Sequence, residues 1–295
     1  MGHHHHHHHH HTGNAIAVAF FLNFGFTIVE FVGGWYTNSM AIMADAIHDL
    51  GDTLAIGLAW WLSWLSTQQA NEDYTYGYSR LSLLGALVNA TILVAGSIWV
   101  LYEAIPRLSA PVMPHATGMI ALAVLGVVVN GYAAWRLSHG KTLNERVLNW
   151  HLIEDVLGWA AVLIVAITLM FVQWPILDPI LSIGFTLFIL LNVFRNLRQT
   201  VRLFLQAAPD EELVSQVRME LSAIEHVAAI HHLHIWSLDG ERHVMTAHLE
   251  LDMLSNLSQQ GSIKQAISTR LEKFQFSHTT IELELSEEAC RDSQS

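Results

Sequence analysis

Long apolar stretches separated by short polar ones fill the first two thirds of the chain, at about 14–36, 40–65, 80–105, 115–137, 147–173 and 175–205. A helix needs roughly 20 apolar residues to cross a bilayer, so the pattern predicts six membrane-spanning helices. Trp35, Tyr36, Trp60, Trp61, Trp64, Trp99, Tyr102, Trp135, Trp150 and Trp174 fall mostly towards the segment ends, where interfacial aromatic belts sit. From about Ala208 the periodicity changes. Pro209-Asp210-Glu211-Glu212 reads as a helix start, with acidic residues at the positive end of the macrodipole. Val214, Val217, Leu221 and Ile224 continue it at helical spacing. Residues 229–238 and 241–252 read as strands joined by a tight Asp239-Gly240 turn. A helix near 258–274 and a strand near 278–285 complete an α-β-β-α-β module. The expected fold is therefore a membrane α-helical bundle of six transmembrane helices over 14–207, followed by a small cytosolic α+β domain over 208–290 and a short tail at 291–295. Residues 1–13, with histidines 3–11, are an expression tag set aside from fold reasoning.

Composition sharpens this division. Of 295 residues 52% are hydrophobic and 14% charged, against roughly 25% charged in an average soluble domain. That mix excludes intrinsic disorder, which needs low hydrophobicity and high net charge. The net charge of −12 argues against a nucleic-acid partner. Residues 12–205 hold 11 acidic and 8 basic groups, for −3, whereas 206–295 hold 15 and 6, for −9. The single Cys290 excludes a disulfide framework and a cysteine-type zinc finger. Arg80, Arg136, Lys141, Arg146, Arg195, Arg198 and Arg202 fall after the second and fourth spans and at the end of the sixth, with only Arg107 on the other side. The positive-inside rule then places both termini in the cytoplasm.

The chemistry is concentrated where a membrane helix tolerates it least. The second span contains Asp45, His48, Asp49 and Asp52. At 100° per residue Asp45, His48 and Asp52 lie within about 60° of one another on one face, with Asp49 at its edge. An ionisable residue at the bilayer centre costs about 2.5–3.5 kcal/mol on insertion scales, so such a stripe points to function. The fifth span repeats the spacing with His151 and Asp155, preceded by Glu154. Two His-x-x-x-Asp pairs offer two imidazole nitrogens and two carboxylate oxygens, a tetrahedral donor set suited to zinc and other borderline divalent metals. Two carboxylates balance the ion's charge; Glu30, Asp45, Asp49 and Glu154 lie near this set but outside the motif, with Asp45 and Asp49 placed to relay protons or line the access path. Asn23, Asn89, Asn130 and Asn192 read as interhelical packing groups, and Asp178 as a helix-start residue.

With these motifs on the page the chain resembles the cation diffusion facilitators, exporters of zinc and other heavy metals, in their zinc-transporting, bacterial form. The resemblance covers nearly the whole chain. It rests on both His-x-x-x-Asp motifs, on Tyr76-Gly77-Tyr78-Ser79-Arg80 running into Leu84-Gly85-Ala86-Leu87-Val88-Asn89, and on His231-His232-Leu233-His234-Ile235-Trp236. It implies a homodimer paired largely through the C-terminal domain, a metallochaperone-like fold for that domain, and exchange of cytoplasmic zinc for protons across a bacterial inner membrane. Zinc would be transported substrate and also regulatory ligand. Tyrosines at 74, 76 and 78 replace the histidines with which some relatives build a second site after the second span. The histidine-rich loop of eukaryotic relatives is reduced to His139.

In the tail, strand alternation places Met245, Ala247, Leu249 and Leu251 on one face, and His232, His234, His248, Glu282 and Glu284 on an open opposite face. The family's cytosolic metal cluster, carried over by position, falls on His231, His248 and Glu284, with Glu282 where some relatives have histidine. Alternation and resemblance disagree over His231, whose parity matches Leu233 and Ile235. His115, His226, His243 and His278 read as ordinary histidines. Two other functions compete. An intramembrane metalloprotease would need a metal-activated water and typically His-Glu-x-x-His, and four protein donors leave no open coordination position. A passive metal channel must bind weakly enough to release ions fast, which a four-donor site does not.

Overall fold

The computed structural model describes residues 9–65, 70–138, 143–252, 257–285, 288, 290 and 292. His139, Lys141, residues 1–8 of the tag and the expected tail apart from residue 292 lie outside these, as do the side chains of Trp64, Arg136 and Arg146. The chain divides into two compact units, Met1–Gln69 with Leu84–Leu197, and Ala70–Leu83 with Arg198–Ser295.

Helices make up the first unit: α1 (His9–Thr37), α2 (Met40–Leu65), α3 (Leu81–Ala104), a single turn α4 (Pro106–Ser109), α5 (Ala116–Leu137), α6 (Leu143–Phe171) and α7 (Leu177–Phe204). Among the described residues four stretches are long and apolar enough to cross a membrane: Leu81–Ser109, Ala116–Trp135, Asn149–Phe171 and Leu177–Phe204. Helix α2 is of similar length, but Asp45, His48, Asp49 and Asp52 dilute its hydropathy; α1 carries Asn23 and Glu30 within an otherwise apolar stretch. Large apolar side chains such as Ile98, Val128, Ile164 and Leu191 face outward, as lipid-facing positions do. The interior is small and tight. The ring of the buried Trp159 on α6 lies against Gly126 of α5, where a Cβ would come within 2.2 Å of it. Small residues at such crossings let membrane helices approach closely.

Hydrogen bonds position α2. Asn23 Nδ2 donates to Thr53 Oγ1 at 3.2 Å, and the hydroxyls of Thr27 and Thr53 are also 3.2 Å apart, joining α1 to α2. Asn130 instead donates to the carbonyl of Gly126 on its own helix, so the expectation of interhelical packing fails for it. Asp178 has a larger role than starting its own helix. It lies in the first turn of α7, yet its buried carboxylate accepts from Ser39 Oγ at 2.5 Å and from the N–H groups of Met40 at 2.7 Å and Ala41 at 3.3 Å. These are first-turn donors of α2 that have no intrahelical partner. One buried side chain therefore holds the start of α2 against the start of α7.

The second unit contains α8 (Glu211–Ser222), β1 (Val227–Ser237), β2 (His243–Leu251), α9 (Leu257–Leu271) running into a 3-10 turn (Glu272–Phe274), and β3 (His278–Leu285). Asp210 caps α8 by accepting from Glu212 N–H at 3.1 Å. The sheet order is β1-β2-β3, with β1 antiparallel and β3 parallel to β2. Met245, Leu249 and Leu251 pack with Val217 and Leu221 of α8 and with Ile263, Ile267 and Leu271 of α9, so the helices cover one sheet face. Glu220 ties them together through Arg270 at 2.9 Å and Lys273 at 2.5 Å. The hairpin differs from the two-residue turn expected: Ser237 pairs with His243 across a five-residue loop. Asp239 organises that loop, accepting from the N–H of Glu241 at 3.0 Å and of Arg242 at 2.8 Å, with Arg242 Nε at 2.7 Å. Gly240 at φ 104° supplies the left-handed backbone it needs.

Replacing Asp178 by Ala leaves buried N–H groups of α2 unmatched. It is expected to lower stability by about 1.5–3 kcal/mol, the range for hydrogen bonds to a charged group, and Asp178→Asn should lose less; thermal unfolding in mild detergent measures both. In the hairpin, burial alone would raise Asp239, but hydrogen bonds from the Arg242 N–H and side chain and from Glu241 N–H hold it below the usual carboxylate range. A depressed acid stabilises above its unfolded value, about 3.9, and the stabilisation is lost as pH falls through the folded value. The melting difference between wild type and Asp239→Asn should thus be present at neutral pH and vanish in acid below that range.

Candidate functional site

Helical spacing aims four side chains at one place. His48 and Asp52 are one turn apart on α2, and His151 and Asp155 are one turn apart on α6. His151 Nε2 lies 2.9 Å from Asp52 Oδ2, across the helix pair. His48 Nε2 is 3.8 Å from both Asp52 Oδ2 and Asp155 Oδ1, and His151 Nε2 is 3.8 Å from Asp155 Oδ2. The imidazole centroids are 5.6 Å apart at 72°. A tetrahedral ion with metal–ligand distances of about 2.0–2.2 Å needs donors roughly 3.3–3.6 Å apart. The histidine–aspartate separations bracket that spacing, and both histidines present the same nitrogen; His48, His151 and Asp155 bring one donor each within 4.8 Å of one another, and Asp52 joins them through His151. Each pair is partly accessible, with 29% exposure at His48 and Asp52, 33% at His151 and 13% at Asp155.

The neighbouring acids separate into two groups. Asp45 lines a cavity of about 240 Å³ together with His48, Glu154, Asp155, Phe185 and Phe188, between α2, α6 and α7. Asp49 does not line it. That carboxyl is buried, within electrostatic reach of Glu30, which is fully buried on α1. Glu30 therefore belongs to the same acidic interior, near the site as the sequence reading placed it.

A second constellation stands on the uncovered face of the sheet. His231 pairs with His248, and His248 with Glu282, in one row across the three strands. A bulge follows between His231 and His234, with His232 at φ 47°. The extra residue switches the face of every side chain beyond it. That reconciles the two conflicting expectations: His231 shares a face with His248 even though Ile235 points into the core. His231 Nε2 and His248 Nδ1 each lie 2.7 Å from one oxygen of Glu284. Glu282 is placed differently, 3.8 Å from His248 Nε2 on the far side of the ring, where Asp292 is 3.6 Å away. His232 and His234 line the same small cavity with them.

This face is not open, as alternation suggested. His248 and Glu284 are only 7% and 5% exposed, and Cys290 lies with its Sγ 3.5 Å from His248 Nδ1. His231, His248, Glu284 and Cys290 each offer a donor within 4.8 Å of the others. Sequence reading missed Cys290 as a partner here, because a lone cysteine past the last strand carries no spacing signal. Burial alone would push Glu284 up, but hydrogen bonds from Cys290, His248 and His231 hold it below the usual range. Burial and the carboxylates of Glu284 and Asp292 push the Cys290 thiol up, against a backbone hydrogen bond at Asp292. Elsewhere His115 caps α5, accepting from Gly118 N–H, and His226 meets Asp252 at 3.2 Å.

A bundle of long apolar helices, carrying convergent imidazoles and carboxylates in its interior and a small α+β module after it, defines a multi-pass membrane protein built to handle a cation. Comparison with known sequences identifies the kind. Residues 16–205 match the cation efflux transmembrane domain and residues 209–286 the cation efflux protein cytoplasmic domain, so the chain belongs to the cation efflux family, whose members are transporters and not enzymes. It is 34% identical over 270 residues to the zinc transporter ZitB of Escherichia coli, covering 90% of this chain and 85% of that protein. Over 273 residues it is 31% identical to the cadmium, cobalt and zinc/H(+)-K(+) antiporter of Bacillus subtilis, covering 91% and 88%. Against the metal cation efflux system protein CzcD of Cupriavidus metallidurans it is 32% identical over 275 residues, covering 92% and 86%.

Proposed function

We propose that the protein exports zinc, and related divalent metals such as cadmium and cobalt, from the cytoplasm in exchange for protons, by alternating access to a four-donor site at His48, Asp52, His151 and Asp155. The observation that carries this reading is the convergence of two imidazoles and two carboxylates, with nitrogen–oxygen contacts of 2.9–3.8 Å, between two helices of a cation efflux domain. With neutral histidines and ionised aspartates the loaded site is formally uncharged, which offsets most of the penalty of taking a divalent ion out of water. Six spans, both termini on the cytoplasmic side of a bacterial inner membrane, and pairing of two copies through the cytoplasmic domain complete the proposal. A three-stranded module of about 80 residues is marginal alone, and pairing adds buried surface. In that domain His231, His248 and Glu284 are read as a second metal-binding group.

Metal binding requires neutral imidazole, so protons and zinc compete for the same nitrogens. Facing the cytoplasm, zinc displaces protons; facing outward, protons displace zinc. Asp52 and Asp155 also favour proton uptake once the ion leaves, because two anions in a low-dielectric site repel. Asp45, beside the cavity, and Asp49, behind it, are the relay groups of this scheme, with Asp45 on the access path.

Proteoliposome flux tests the ligand set: Asp52→Ala and Asp155→Ala are each expected to abolish zinc transport with the fold retained by circular dichroism. Wild-type flux in both would overturn the assignment. Proton coupling is tested separately by titrating zinc affinity. It should fall as pH drops through the reference histidine value of about 6.5, and an affinity flat between about 5.5 and 7.5 would refute proton exchange at these histidines while leaving the ligand set intact.

A further inference from the structure

We propose that Cys290 supplies a thiolate that closes a four-donor metal site with His231, His248 and Glu284 in the cytoplasmic domain. The site would take a soft or borderline divalent cation, zinc or cadmium, as a resident regulatory ion. The inference rests on the reading of His231, His248 and Glu284 as metal ligands, and adds the donor that decides what kind of site it is.

The geometry gathers one donor from each of four chain segments. His231 comes from β1, His248 from β2, Glu284 from β3 and Cys290 from the residues after it. All four donor atoms lie within 4.8 Å of one another. An ion with bonds of about 2.0–2.3 Å needs donors roughly 3.3–3.8 Å apart, so the group has only to contract around it. Glu284 already spans both imidazoles at 2.7 Å, and Cys290 Sγ is 3.5 Å from His248 Nδ1. Three donors would leave a coordination position for water. Four close the shell, which marks structural rather than catalytic sites. A thiolate also discriminates against magnesium, calcium and manganese, which prefer oxygen donors.

The proton balance of loading can be read from the same contacts. The cation replaces the thiol proton of Cys290, which leaves to solvent, and the carboxylate of Glu284 and the new thiolate together neutralise it. Each imidazole keeps one proton, on the ring nitrogen opposite the metal. For His248 that nitrogen is Nε2, which faces Asp292 at 3.6 Å and Glu282 at 3.8 Å. Ligating histidines commonly donate their second N–H to a carboxylate, which fixes the tautomer and orientation. Glu282 is thus a positioning residue for His248 rather than a ligand. Loading stitches the chain end to all three strands, so the occupied domain gains stability by mass action.

Cobalt(II) provides the test, because the chain has a single cysteine. Any sulfur-to-cobalt charge-transfer absorption in the near ultraviolet therefore reports Cys290 alone. The full-length protein, freed of its histidine tag and carrying Asp52→Ala and Asp155→Ala, is titrated with cobalt in mild detergent. The expected result is a charge-transfer band saturating at one cobalt per chain, bleached by zinc. Cys290→Ser should abolish the band and weaken binding at least about tenfold, the lower end of what even outer-shell changes cost. His248→Ala and Glu284→Gln should also abolish it, and zinc should slow alkylation of Cys290 in wild type but not in His248→Ala. Cobalt bound without the band, yet lost in His231→Ala and His248→Ala, would refute the thiolate ligand and leave the three-residue reading standing. A band that survives His248→Ala and Glu284→Gln would mean adventitious thiol binding and refute the closed site. If this domain took up no cobalt at all, both readings would fall together.

Discussion

Charge inside an apolar helical layer is the constraint on which this protein is built. Isolated, each of Asp45, His48, Asp49, Asp52, His151 and Asp155 would be expensive among membrane-length helices. Grouped face to face, the histidines and aspartates of the two motifs offset one another: Asp52 reaches across from α2 to His151 on α6 at 2.9 Å, and His48 sits 3.8 Å from Asp155 in the reverse sense. Such an arrangement holds only if the two helices keep their rotation and height. Rotation is guarded by packing, with Trp159 seated on Gly126 and Asn23 and Thr27 bonded to Thr53. Height is guarded by Asp178, whose carboxylate fixes the first turn of α2 to the first turn of α7.

The cytoplasmic domain assembles similar donors by different means. In the helical unit, four-residue spacing puts a histidine and an aspartate on one face, and a second helix supplies the other pair. On the sheet, donors come one per strand, and their alignment depends on register: His231 opposite His248, and Glu284 two residues past the partner of His248. A single bulge decides whether His231 joins them. The helix-borne set contains only nitrogen and oxygen donors and borders a cavity. In the strand-borne set His248 and Glu284 are buried, and a sulfur lies at its edge. On the proposal made above, this difference in donor softness separates cargo from ligand within one chain.

Much of this was legible in the sequence, and the reasons are physical. Apolar stretches and a period change mark helices and an α-β-β-α-β module because burial imposes periods of 3.6 and 2 wherever one face is covered. The two His-x-x-x-Asp pairs stand out because polar groups in apolar helices are expensive enough to be rare. The face of β2 bearing Met245, Leu249 and Leu251 follows from alternation alone. What tertiary structure decided lies where local rules run out. Parity put His231 with the core, and only the bulge at His232 shows why it is not there. The Asp239-Gly240 pair signalled a tight turn, but the carboxylate of Asp239 found enough N–H donors to hold a five-residue loop. Asp178 looked like the start of its own helix, and its partners proved to be 137 to 139 residues away. Cys290 had no pattern of its own. Its surroundings come from chain segments distant in sequence, and no period within a segment encodes which distant segment will cover it.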